Sequence, residues 1–144
     1  MTTNKLTSQT ALVDDKVRFS GTARNNPAVF MDYFPPIGGG EGYTGLEMLL
    51  ITLSGCSATA VAVLLRKMNK TVKGLKVDAS GERQEIPPFA FSKINLHFVL
   101  TSPDAKDIDI EKAISQAEKS MCPVWAMLKG NVEIQATNEV KTED

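Results

Sequence analysis

A chain of 144 residues is long enough to bury a core as one domain of ordinary size. Its 16 basic and 17 acidic residues leave a formal charge of −1, which gives neither nucleic acid nor an acidic membrane surface a reason to bind. Two cysteines and one histidine, His97, fall short of a four-ligand zinc site, and no segment calls for a cofactor.

No apolar run in the first twenty residues has the character of a signal-peptide core, so a cytoplasmic location is expected. In that compartment cysteines are more often free or redox-cycling than permanently bridged. Residues 1–9 are polar and expected to be loose. Two β-favouring runs, 10–21 and 28–33, flank Asn25, Asn26 and Pro27 and predict a hairpin. Alternation in the first run would turn Val17 and Phe19 inward and leave Lys16, Arg18 and Ser20 facing solvent. The loop PPIGGGEGY comes next. It lacks the GK[ST] ending of a P-loop and the spacing of a dinucleotide fingerprint, so a flexible loop beside a pocket is expected rather than a phosphate cradle.

Residues 44–70 predict one long helix. Between Leu46 and Leu65 the only charge is Glu47, so the helix is apolar nearly all round, the pattern of a buried helix. Thr44 and Glu47 have the spacing of a capping box, with Tyr43 and Met48 placed as a hydrophobic staple. Arg66, Lys67 and Lys70 suit the negative end of the dipole, and Gly74 is the expected breaker. Twenty apolar residues could also span a bilayer. The small residues around Cys56 and the strand patterns on both sides favour a central helix between two sheets in an α+β fold. Cys56 lies near the middle of this helix and reads either as a small core residue or as a reactive thiol. It is too far along to feel its own helix N-terminus, so reactivity would need positive charge from elsewhere.

After the helix, Leu75, Val77 and Ala79 alternate with polar residues in a strand that runs through SGERQEI and ends at Pro87 and Pro88. A second strand over 91–101 sets Ile94, Leu96, Phe98 and Leu100 on one face, and His97 on the other, where it reads as a surface residue. An amphipathic helix is predicted from Asp107 or Asp109, breaking at Met121, Cys122 and Pro123. A short helix over 123–129, a closing strand over 131–137 and a polar tail over 138–144 complete the chain. Cys122 falls at the N-cap of the short helix, where free N–H groups favour a thiolate.

Three runs, GYTGLEMLLITLSGCSA, GERQEIPPFAFSKINLHFVLT and AEKSMCPVWAML, occur in that order. With Cys56 in the long helix and Cys122 before Pro123, the chain resembles the OsmC/Ohr family of cysteine-dependent hydroperoxide reductases over nearly its whole length. The GER and KINLHF segments are more similar to the less characterised OsmC-like branch. The resemblance implies a single domain over 1–144, with two β-sheets around a long central buried helix in an intertwined homodimer. It implies that Cys56 reduces an organic hydroperoxide and becomes a sulfenic acid, that Cys122 condenses with it to a disulfide, and that a dithiol, lipoyl-type in part of the family, restores both. No nucleic acid, membrane or cofactor enters this scheme.

The family also uses an arginine from the first hairpin and a glutamate ten residues before the cysteine. The latter position is Leu46 here, and Glu47 stands nine before Cys56, on the opposite helix face and about 13 Å along the axis. Glu47 is therefore either a residue acting across a dimer interface or only a cap. The arginine is Arg18 or, second, Arg24. Two functions stay open: a thiol peroxidase, or a non-catalytic protein of the same fold that binds a hydrophobic ligand at the dimer interface or senses redox state.

Overall fold

A computed structural model describes residues 4–142. The elements run β1 (Gln9–Leu12), β2 (Phe19–Thr22), β3 (Val29–Met31), α1 (Gly45–Lys67), β4 (Gly74–Arg83), β5 (Phe91–Thr101), α2 (Asp107–Gln116), a π-helical turn (Ala117–Met121), α3 (Pro123–Leu128) and β6 (Glu133–Lys141). The architecture is α+β, with two three-stranded sheets of order β1-β2-β3 and β4-β5-β6 and one long helix. The chain divides into two compact units, Met1–Leu49 and Leu50–Asp144.

The first unit is an antiparallel meander. The strand expected over 10–21 is two strands, because the Asp14 carboxylate accepts N–H bonds from Lys16 at 2.9 Å and Arg18 at 3.0 Å and folds the chain back. Val17 therefore lies in a turn, and Phe19 is 39% exposed rather than inward, since three strands of three or four residues enclose no core of their own. The second turn falls where Asn25, Asn26 and Pro27 put it: the Asn26 side-chain amide donates to the Ala23 carbonyl at 2.9 Å. Arg24 sits in this turn, exposed, with a left-handed φ of 57°. Of the loose residues expected at the N-terminus, 1–3 lie outside the described residues, and Gln9 already pairs with Thr22.

In the second unit β4 and β5 form an antiparallel hairpin, and β6 joins β5 in parallel after the crossover through α2 and α3. The period-two pattern of β5 holds along its length: Ile94, Leu96, Phe98 and Leu100 are all buried. Each contributes about 2 kcal/mol by removal from water. Ile110, Ala113, Ile114 and Trp125 join them in the core, and α2 lies against β6. The tail expected after 137 is instead strand as far as Lys141, paired with Thr101; residues 143–144 lie outside the described residues.

Helix α1 begins with the predicted capping box: Glu47 N–H donates to Thr44 Oγ1 at 3.2 Å, and Thr44 N–H donates to Glu47 Oε1 at 2.8 Å. It ends before the expected breaker. Asn69 adopts φ 60°, and bonds from Lys70 N–H to the Leu65 carbonyl and from Asn69 N–H to the Arg66 carbonyl close a Schellman motif. Burial within this chain follows one stripe, Leu53, Ser57, Ala60, Val61 and Leu65, spaced at three and four residues. Ile51 and Val63 on other faces stay 48% and 37% exposed. By length and composition this helix is apolar enough to cross a membrane.

Candidate functional site

Cys56 and Cys122, far apart in sequence, come together in the second unit. Both are free, and the Cys56 thiol stands within hydrogen-bonding reach of Cys122. Cys56 is half-buried at the edge of the α1 stripe. Cys122 is delivered by a change of helical register: α2 widens into the π-turn, in which Cys122 N–H donates to the Ala117 carbonyl at 2.9 Å, five residues back. Such a turn inserts one residue relative to an α-helix and rotates the next side chains to a new heading. Here it leaves Met121 37% exposed and Cys122 2% exposed. Pro123, with no N–H and a fixed φ, then opens α3, and Cys122 Sγ accepts the Trp125 N–H at 3.4 Å as its N-cap.

The ionisation of Cys122 reverses the expectation from its N-cap position. Burial pushes its thiol up to about 11, the hydrogen-bonded Cys56 thiol adds to that rise, and the N–H groups of Trp125 and Val124 only partly oppose it. Loss of water outweighs a short helix's dipole because the sulfur anion would be enclosed by core side chains. At pH 7 a thiol of that strength is ionised to about one part in ten thousand.

In the first unit Arg18 is not on the solvated strand face expected of it. Its side chain is 30% exposed, Nη1 pairs with Glu41 Oε2 at 2.5 Å, and Nε is buried without a hydrogen-bond partner among the described residues. Glu41 stands on the loop after β3, which is organised by Asp32. The Asp32 side chain, 5% exposed, accepts N–H bonds from Tyr33 at 2.8 Å, Glu41 at 3.0 Å and Gly39 at 3.2 Å. Those bonds, that of Glu41 foremost, hold its carboxyl below the usual range against the opposing effect of burial, and the Arg18 charge adds to the lowering. The loop is closed around this carboxylate: a Cβ on Gly38 would overlap Asp32 Oδ1 and sit 2.5 Å from the Tyr33 carbonyl. The loop expected to be flexible is thus tied by one buried acceptor through two of its own amides, Gly39 and Glu41, and that of Tyr33 just before it.

Glu47, the acid considered from sequence, has its carboxylate engaged in the capping box on an exposed residue. The carboxylate that meets Arg18 is Glu41, and Asp32 is the residue behind it; neither was singled out from sequence. The available signal was an aspartate ending an apolar β-run directly before a glycine-rich loop.

The profile of the OsmC-like protein family matches residues 38–137, a span that includes both cysteines. Protein YhfA of Escherichia coli K12 is 33% identical over 122 residues, covering 85% of this chain and 89% of YhfA. A hypothetical protein from Aquifex aeolicus has the same fold, with a TM-score of 0.86 at 22% identity, covering 99% of this chain and 100% of that one. So does an organic hydroperoxide resistance protein from Elizabethkingia anophelis, with a TM-score of 0.70 at 17% identity over 97% of this chain and 99% of that one. With its fold, its two cysteines and the profile in agreement, the chain belongs to the OsmC-like family.

Proposed function

We propose that the protein reduces organic hydroperoxides with Cys56 as the attacking thiolate and Cys122 as the resolving thiol. The observation that carries this reading is the meeting of two free thiols of which one, Cys122, is held protonated by burial at neutral pH. Cys56 sulfur attacks the terminal peroxide oxygen, the O–O bond breaks, and the alkoxide leaves and is protonated to an alcohol; sulfur is oxidised by two electrons to a sulfenic acid. Cys122 then attacks the Cys56 sulfur, releasing water and forming the disulfide. A dithiol of the lipoyl type takes up the oxidising equivalents by exchange.

In this reading Arg18 supplies positive charge to the Cys56 sulfur and orients the peroxide, Arg24 is set aside because it lies exposed in a turn, and Glu47 acts as a cap. The assembly is an obligate homodimer, which supplies Arg18 to Cys56. Support comes from apolar surface left open in a single chain: Val29, Phe30, Phe34 and Ile37 in the first unit and Ile51 and Val63 on α1. We read the open face of α1 as a subunit surface rather than a membrane span, with the hydroxyls of Ser57 and Thr59 satisfied by the carbonyls of Ser54 and Gly55. Peroxide consumption with a dithiol tests the activity. A purified dimer that consumes no cumene hydroperoxide in the presence of dihydrolipoamide would return the protein to the non-catalytic reading, with a hydrophobic ligand in place of the peroxide.

A further inference from the structure

We propose that the groove between the C-terminal end of α1 and α2 binds an amphiphilic carboxylate, with its alkyl chain on Leu64, Met68 and Ala113 and its head group between the ammonium groups of Lys67 and Lys112. The inference does not rest on the hydroperoxide reading. Leu64 and Met68 stand about 12 and 18 Å along the helix axis from Cys56, so the groove is a site apart from the two thiols.

Three observations carry it. The first is an apolar stripe that runs on past its cover. Ala60, Leu64 and Met68 are spaced four apart, and the Met68 N–H still donates to the Leu64 carbonyl at 3.1 Å, so all three lie on one face of the helix. Ala60 is buried, yet Leu64 and Met68 are only partly so. Across from them α2 presents small or polar residues, Ala113, Ser115 and Gln116, which leave a cavity of about 410 Å³ open to solvent. That volume falls within the range of small-molecule sites, about 300–1,000 Å³.

The second observation is charge. Lys67, in the last turn of α1, and Lys112 both line the groove, no acidic residue does, and neither ammonium has an ion-pair or hydrogen-bond partner among the described residues. The acids of α2 are occupied or turned away. Asp109 pairs with Lys70 and accepts the Lys106 N–H, while Glu111 and Glu118 border a separate recess with Trp125 and Ile134. Two lysines whose apolar stems flank an apolar floor fit a ligand that is apolar at one end and anionic at the other. The third observation is position. Ile51 and Val63, the open residues of α1 read above as a subunit surface, stand about 100–140° around the helix from Leu64 and Met68, so a partner seated on them faces away from the groove.

The test is calorimetric titration of the intact protein with sodium octanoate, beside octanol and acetate, with backbone amide NMR to locate the site. Octanoate should bind saturably with a Kd below about 1 mM, shifting the amides of 64–68 and 112–116 and leaving that of Cys122 in place. Lys67→Gln and Lys112→Gln should each weaken octanoate by about threefold or more, while a protein carrying Lys67→Arg and Lys112→Arg keeps the parental affinity within about twofold. Octanol should bind more weakly than octanoate and change less than about twofold in the Gln variants, and acetate, a head group without a chain, should not bind. An octanoate affinity that the Gln variants leave unchanged overturns the inference, as does the absence of saturable binding. Shifts confined to residues around Cys56 and Cys122 overturn it too, and would leave the hydroperoxide reading standing with octanoate as a substrate mimic. If octanoate fails to bind and the Gln variants steepen the fall of melting temperature on dilution, a second copy covers the groove and the inference falls.

Discussion

Burial, rather than helix position, sets the chemistry of Cys122, and this can be tested with one variant. In a Cys56→Ser protein Cys122 is the only cysteine. With both thiols present it is pushed up to about 11, first by desolvation. Removing Cys56 removes the lesser causes of the rise, while the enclosure that leaves Cys122 2% exposed remains. An ordinary cysteine near 9.0 is about 1% thiolate at pH 7, about 100 times the fraction of a thiol near 11. We therefore predict that iodoacetamide labels Cys122 at pH 7 at least about tenfold more slowly than in the same protein unfolded in urea, read by mass spectrometry. Labelling within threefold of the unfolded rate would refute the argument and make the N-cap dipole the dominant influence. The same ionisation has a consequence for stability. The folded thiol keeps its proton up to about 11 while the unfolded one releases it near 9.0, so the contribution is complete below pH 9 and is lost as pH rises toward 11. At about 1.4 kcal/mol per unit, the stability advantage of the parent over Cys122→Ser should shrink by up to about 3 kcal/mol across that window in denaturant titrations.

Three further outcomes are expected. Gly38→Ala should destabilise the protein by about 1–3 kcal/mol in urea unfolding, because the added carbon meets Asp32 and Tyr33 backbone within a closed loop; a change below about 0.5 kcal/mol would mean that the loop gives way freely. Glu47→Gln should leave both melting temperature and turnover close to the parent, since Gln also completes a capping box; a large fall in turnover with an unchanged melt would assign Glu47 to the chemistry. At Gly55 an added Cβ meets no atom within 4 Å among the described residues, although glycine inside a helix costs about 1 kcal/mol against alanine. Gly55→Leu has room within one chain and should weaken the obligate dimer, so that its melting temperature falls more steeply on dilution than the parent's, whereas an equal dilution dependence would move the subunit surface away from this face of α1.

The parts of the fold written by local rules were legible. The capping box fixed the start of α1, strict alternation fixed β5, and Pro123 fixed the break after Cys122. What escaped was set by non-local or competing effects. The turn at Asp14 contains no glycine or proline and depends on one carboxylate reaching two amides. The end of α1 rests on Asn69 taking a left-handed conformation, a lesser habit of asparagine than of glycine, so Gly74 drew the prediction instead. β6 runs on to Lys141 because β5 offers it a partner, although its last residues are polar. In the first unit, the pairing of Arg18 with Glu41 spans a hairpin and a loop, and no spacing rule announces it. The ionisation of Cys122 failed for a different reason: position on a helix is visible in sequence, but the depth of burial that overrides it is not.

In the proposed reaction Cys56 is oxidised first and Cys122 second. The most direct measurement is one equivalent of cumene hydroperoxide added to Cys122→Ser, then dimedone and mass spectrometry, beside the same treatment of Cys56→Ser. One dimedone adduct, on Cys56, with one alcohol formed per chain, is expected, and neither adduct nor alcohol from Cys56→Ser. An adduct on Cys122 in Cys56→Ser, or a Cys56 that stays reduced under excess hydroperoxide in Cys122→Ser, would contradict it.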